Sequence, residues 1–111
     1  MAATIQKQIL IGARALIADP THWTQGTLAR TAREQPVAWH KRTANKWCAL
    51  GALYRAGYDV LGDKGKAMHI AGEITDSIYP RRYLRSALPT LNDCQGHAAV
   101  LAAFDRAMAR N

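Results

Sequence analysis

Asn45-Lys46-Trp47-Cys48-Ala49-Leu50-Gly51-Ala52-Leu53-Tyr54-Arg55-Ala56-Gly57 decides the fold of this chain, because after Lys46 only Arg55 interrupts its apolar character. A helix that is apolar on almost every side belongs inside a domain. Asn45 is of the type that caps a helix start, and Gly57 suits the left-handed conformation that ends one. The stretch therefore reads as a buried central helix. Along it Cys48, Ala52 and Ala56 lie four apart with Gly51 beside them, a ridge of small residues. A glycine inside a helix costs about 1 kcal/mol against alanine, so the expected return is the close approach of a second helix.

The flanking sequence supplies the layers that cover this helix. Over residues 4–18, Ile5, Ile9, Ala13 and Leu16 recur at helical spacing with Leu10 and Ile17 alongside, and Asp19-Pro20 stops the pattern. Residues 21–33 have no clean period. Residues 27–31 and 36–39 are a candidate hairpin, although Arg33-Glu34-Gln35 lacks the Gly or Asn that tight turns favour. After Gly62, Asp63 caps a third helix with Ala67, Ile70, Ala71, Ile74 and Ile78 inward and His69, Glu73 and Asp76 outward, closed by Pro80. Residues 81–88 are basic and end at Pro89. Asn92-Asp93 caps a last helix over about residues 95–109, with Val100, Leu101, Phe104 and Met108 inward. The expected fold is mainly α: a compact bundle of about four helices with a buried central helix and a small β-hairpin, in one domain spanning residues 1–111. Trp47, Leu50, Leu53, Ile74, Leu101 and Phe104 are its expected core.

Composition bounds the class of protein. With 111 residues, 49% of them apolar and 21% charged, the chain has enough material for a core and does not read as disordered. Arg14, Asp19, Lys46 and Arg55 break every apolar run before the roughly 20 residues a bilayer span needs. Cys48 and Cys94 sit in no spaced framework and read as free thiols of a reducing cytoplasm. The formal charge of +7 and pI near 9.9 point to anionic partners.

Trp47-Cys48-Ala49-Leu50-Gly51-Ala52-Leu53, the Ile17-Ala18-Asp19-Pro20 segment followed by Trp23, and Asn92-Asp93 ahead of His97 together resemble a small uncharacterised domain family of bacteria and their phages. The resemblance is strong at the first, central and last helices and weaker between them. It implies no activity, so function has to be read from the residues.

Three chemistries compete. Cys48, expected in the first turn of the central helix, would have its thiol acidity raised by the helix dipole and free backbone N–H groups. His97, expected on the inward stripe of the last helix, would act as base, and Asp93 or Asn92 would orient it, giving a small cysteine-dependent enzyme. The bland account makes Cys48 a core residue, ties His97 to a backbone carbonyl and leaves Asn92 or Asp93 as a cap. Cys94 and His97 have a ligand-like offset, but His22, His40 and His69 are scattered and no second ligand pair accompanies them, so neither a metal nor a cofactor is expected.

The basic clusters carry more weight. Arg30, Arg33, His40, Lys41, Arg42 and Lys46 are opposed locally only by Glu34, and Arg81, Arg82 and Arg85 form a second group with Tyr83. Such charge suits phosphate contact, with Trp39 and Tyr83 as planes for exposed bases. The bland account is a solvated, solubilising surface with the aromatics in the core. The small-residue ridge and the aromatics Trp23, Trp39 and Trp47 also fit a twofold interface. The expectation is a basic binding module for nucleic acid or another polyanion; the alternatives are a small cysteine-dependent enzyme using Cys48 and His97, or a protein-interaction or dimerisation module.

Overall fold

The computed structural model describes residues 4–78, 92–93 and 96–110. Four α-helices stand among these residues: α1 (Ile5–Ile17), α2 (Ala49–Leu61), α3 (Lys64–Ile78) and α4 (His97–Arg110). A short 3-10 turn (Pro20–His22) follows α1, and two short strands, β1 (Ala29–Arg30) and β2 (Lys46–Trp47), pair antiparallel. No described helix is long and apolar enough to cross a membrane. The fold is the mainly α bundle with a small sheet that the patterning implies.

α1 begins where Thr4 Oγ1 accepts the Lys7 amide at 3.1 Å, and it buries Ile9, Leu10, Ala13 and Ile17. Asp19 then caps the 3-10 turn by accepting the amide and hydroxyl of Thr21 at 2.9 and 2.8 Å. α2 packs between α1 and α3 and buries Ala49, Gly51, Ala52, Leu53, Ala56 and Gly57. Ala56 meets Gly12 of α1, and Gly57 meets Ala67 of α3. The small-residue ridge thus does admit helices.

α2 is shifted relative to its sequence reading. It starts after Cys48, not Asn45, because the Cys48 Sγ accepts the Gly51 amide at 3.3 Å and takes the cap. It ends at Gly62, whose φ of +70° provides the left-handed terminus, while Gly57 stays helical under Ala67. What crowds Gly51 is not a helix but the carbonyl of Leu28: a Cβ at position 51 would lie 2.0 Å from that oxygen. The segment entering β1 therefore lies directly on the first turn of α2.

The hairpin is present and extended. Residues 29–31 meet 35–37 through the antiparallel Arg30–Pro36 bridge, with Val37 N–H donating to the Ala29 carbonyl at 3.1 Å and Thr31 N–H to the Gln35 carbonyl at 2.8 Å, and Ala29 and Arg30 also pair with Trp47 and Lys46. Glu34 turns the chain with φ of +69°, taking the left-handed role that a Gly or Asn would fill with less strain. Asp63 caps α3 as expected, accepting the Lys66 amide at 2.8 Å, and Ala67, Ala71 and Ile74 point inward. The side chain of Ile78, Pro80, the basic segment 81–88, Pro89, Cys94 and Gln95 lie outside the described residues. α4 buries Val100, Ala103, Phe104 and Ala107, and its Asp105 receives both Arg14 Nε and Nη2 from α1 at 2.5 and 3.2 Å. Leu50 and Leu101 are half-buried at the edge of the core; Trp47, Leu53, Ile74 and Phe104 lie inside it.

Candidate functional site

Cys48 stands at the junction of β2 and α2, 5% exposed, beside a small cleft of about 170 Å³ lined by Gly26, Thr27, Leu28, Cys48 and Asp93. Burial pushes its thiol above the ordinary value, and the Asp93 carboxylate adds to this; backbone N–H groups at the helix start oppose the shift without reversing it. Burial thus outweighs the helix-start effect that would lower the thiol's value.

His97 does not turn toward Cys48 for its hydrogen bond. Its Nε2–H donates to the Ile17 carbonyl at 2.6 Å, and its ring packs against Trp23 with centroids 5.4 Å apart. Asp93 Oδ1 accepts the Gly26 amide at 3.1 Å and the Asn92 amide group at the same distance. The nucleophile, base and orienter thus each spend their bonds elsewhere. Cys94, the other member of the Cys94–His97 offset, lies outside the described residues.

Asn92 has a part that sequence reading assigned differently. It is fully buried and does not serve the last helix as a side-chain cap; α4 begins after Gly96 at a φ of +90°. Its Oδ1 accepts Trp23 Nε1–H at 2.6 Å and the Ala49 amide at 2.9 Å, and its Nδ2 donates to the Thr24 carbonyl at 3.0 Å. It is a cap for α2 supplied from a distant part of the chain.

The basic loop is built on the β1–β2 pair. The Asn45 amide donates to the Arg30 carbonyl at 2.9 Å and closes the excursion of residues 31–45 at its base. Arg30 and Lys46 are consumed in holding it: Arg30 donates to Thr24 Oγ1 at 3.0 Å and to the Glu34 carbonyl at 3.0 Å, and Lys46 pairs with the Glu34 carboxylate. Arg33, Lys41 and Arg42 are exposed and form no ion pair among the described residues. Of the five cations expected here, three are presented outward and two brace the loop. Arg81, Arg82, Arg85 and Tyr83 lie outside the described residues.

Trp39 is 7% exposed and cannot offer a face for stacking. It anchors the loop instead, against Tyr54 at 5.4 Å and Tyr58 at 5.9 Å between ring centroids, with His40 edge-on at 5.2 Å. Trp47 donates its indole N–H to the Trp39 carbonyl at 3.2 Å, and both tryptophans belong to the core of the chain. Arg55 of α2 reaches up to the same loop, donating to the Lys41 carbonyl at 3.1 Å while pairing with Asp59 at 3.3 Å. His40 is held below the ordinary imidazole value, first by desolvation and then by the positive charges of Lys64, Lys41 and Arg55. Lys64 and Arg55 are members of this charged region that the linear clusters missed; the acid-free first turn of α3, with Lys64 and Lys66, was the available signal.

Fold and site together define a small α-helical domain that presents a rigidly based, cation-bearing loop. The chain belongs to DUF6197, a family of unknown function, whose match covers residues 1–110. No curated protein and no solved structure matches it significantly.

Proposed function

We propose that this domain is an intracellular binding module that contacts the phosphates of nucleic acid through its basic loop. The observation that supports this reading best is the presentation of Arg33, Lys41 and Arg42 on an excursion whose only acid, Glu34, is already engaged by Lys46. Arg81, Arg82 and Arg85, outside the described residues, are a second contact group in this reading. Phosphate binding needs charge without tight shape, which suits a protein of net charge +7. With Arg30 and Lys46 committed to the loop itself, they act as supports of the contact surface and not as phosphate ligands.

The test is fluorescence anisotropy of labelled single- and double-stranded DNA and RNA across a salt series. Binding should weaken steeply with salt, and a triple Arg33→Ala, Lys41→Ala, Arg42→Ala variant should lose roughly three units of the log–log salt slope while keeping its helical circular dichroism. Absence of binding at low salt would reduce the charge to a solubility device.

A further inference from the structure

Three extended segments, 35–37, 29–31 and 45–47, lie side by side at the base of the basic loop. Both outer segments run antiparallel to the middle one, so residues 31, 35 and 45 share one end of the arrangement. Two turns emerge at that end. One, closed by the Glu34 N–H on the Thr31 carbonyl at 2.9 Å, carries Arg33; the other, closed by the Ala44 N–H on the Lys41 carbonyl at 3.1 Å, carries Arg42 and leads into Asn45. Thr31 Oγ1 braces the first turn by accepting the Arg33 and Gln35 amides at 3.2 and 3.3 Å, and Arg55 of α2 braces the second through the Lys41 carbonyl. The Lys46–Glu34 pair crosses from one outer segment to the other turn. Trp39, the one Phe, Tyr or Trp of residues 31–45, has its ring inside against Tyr54 and Tyr58. The loop thus presents cations on a backbone fixed by hydrogen bonds and keeps its aromatic plane in the core.

We propose that the partner of this surface is duplex nucleic acid, held by its phosphates at Arg33, Lys41 and Arg42, and not a single strand. This rests on the basic-surface reading above and adds to it the form of nucleic acid that is bound. Proteins that hold single strands stack successive bases on aromatic side chains while a basic groove tracks the backbone. A duplex keeps its bases stacked on one another and offers phosphates on a stiff, regular frame, roughly one charge per 1.7 Å of axis. Cations on pinned turns meet such a frame with little further loss of backbone freedom. A flexible single strand would have to be ordered on the same cations, with no stacking plane from the loop in return. Phosphate contacts carry no base information, so the duplex is recognised by form and charge and not by sequence.

The experiment is anisotropy with a fluorescein-labelled mixed-sequence DNA duplex, its separated strands and an A·T-rich duplex of the same length, all at one salt concentration. The wild type should bind the mixed duplex at least about fivefold more tightly than either strand, and the two duplexes within about twofold of each other. Denser charge alone also favours a duplex, so Thr31→Val decides the matter: it keeps every cation but removes the hydroxyl that braces the Arg33 turn. It should lower the ratio of duplex to single-strand affinity by about threefold, while Thr31→Ser, which retains the hydroxyl, should retain the ratio. Circular dichroism of each variant establishes that it is folded. Equal or tighter binding to the single strands, or a duplex preference that Thr31→Val leaves intact, overturns this inference alone. No binding to any of these DNAs, even at low salt, overturns the basic-surface reading and this inference with it.

Discussion

At the scale of the residue, Asn92 shows how much one buried amide can hold. It accepts from Trp23 and Ala49 and donates to Thr24 and Asp93, so Asn92→Ala strands an indole N–H, a helix-start N–H and a carbonyl. The expected loss is about 3 kcal/mol of unfolding free energy, readable in urea denaturation. Its residue type marked it as a cap in the sequence, but capping a helix 43 positions earlier in the chain leaves no local pattern. Cys48 was legible as a helix-start residue, but the choice between a reactive and a core thiol was not, since burial, which opposes the dipole, depends on how Leu28 and Asp93 pack around it. In a Cys94→Ser background, Cys48 should react with a thiol reagent at least about tenfold more slowly in the native state than in denaturant. Protonation at Asp19 and His40 gives two steps of acid destabilisation. Both groups sit below their ordinary values when folded, so each binds its proton more readily in the unfolded chain. Stability should first decline as pH falls through the imidazole range, a step absent from His40→Gln, and decline again in the carboxylate range, a step reduced in Asp19→Asn. Thermal melts across pH report both.

At the scale of the element, the helices were legible because their apolar spacing is local: Ile9, Ala13 and Ile17, or Val100 and Phe104, announce their faces by periodicity alone. The short antiparallel meeting of residues 29–31 with 35–37 was legible too, but the pairing of β1 with β2 across a 15-residue excursion was not, because no short-range signal encodes that choice. The same lack explains the reading of Gly51. Its need for closeness was visible, but the close neighbour is the Leu28 carbonyl and not a helix. Gly51→Ala should therefore destabilise the protein by about 1–3 kcal/mol despite alanine's better helix propensity, since the methyl displaces the backbone entering β1. Glu34→Gly tests the loop. Glycine relieves the left-handed strain at φ of +69° but releases Lys46 from its exposed partner, two effects of similar size, so stability should change by less than about 1 kcal/mol. Nucleic-acid binding should meanwhile strengthen, with the salt slope larger by roughly one, because Lys46 becomes available.

At the scale of the whole molecule, net charge could be read directly by counting residues, while its distribution emerged only from folding. Linear clustering counted Arg30 and Lys46 as surface, yet both are occupied within the loop. Lys64, distant in sequence, adds its charge at His40 because α2 and α3 fold back on each other. The Arg14–Asp105 pair and the Gln6–Glu73 contact at 3.3 Å bind the first helix to the last and third on the outside of the bundle. Both are exposed, so high salt should change stability little compared with its effect on binding.

The cap that α2 receives from Asn92 carries a consequence for the order of events during synthesis. Ala49 leaves the ribosome well before Asn92, and until that amide arrives the first turn of α2 lacks a partner for an N–H that the finished protein buries. The early helices can collapse together, but the junction of Trp23, Thr24 and Ala49 closes only when the later part of the chain returns to it. A nascent chain halted short of Asn92 should remain open to protease near Thr24, and the released full-length chain, with α4 in place, should be resistant.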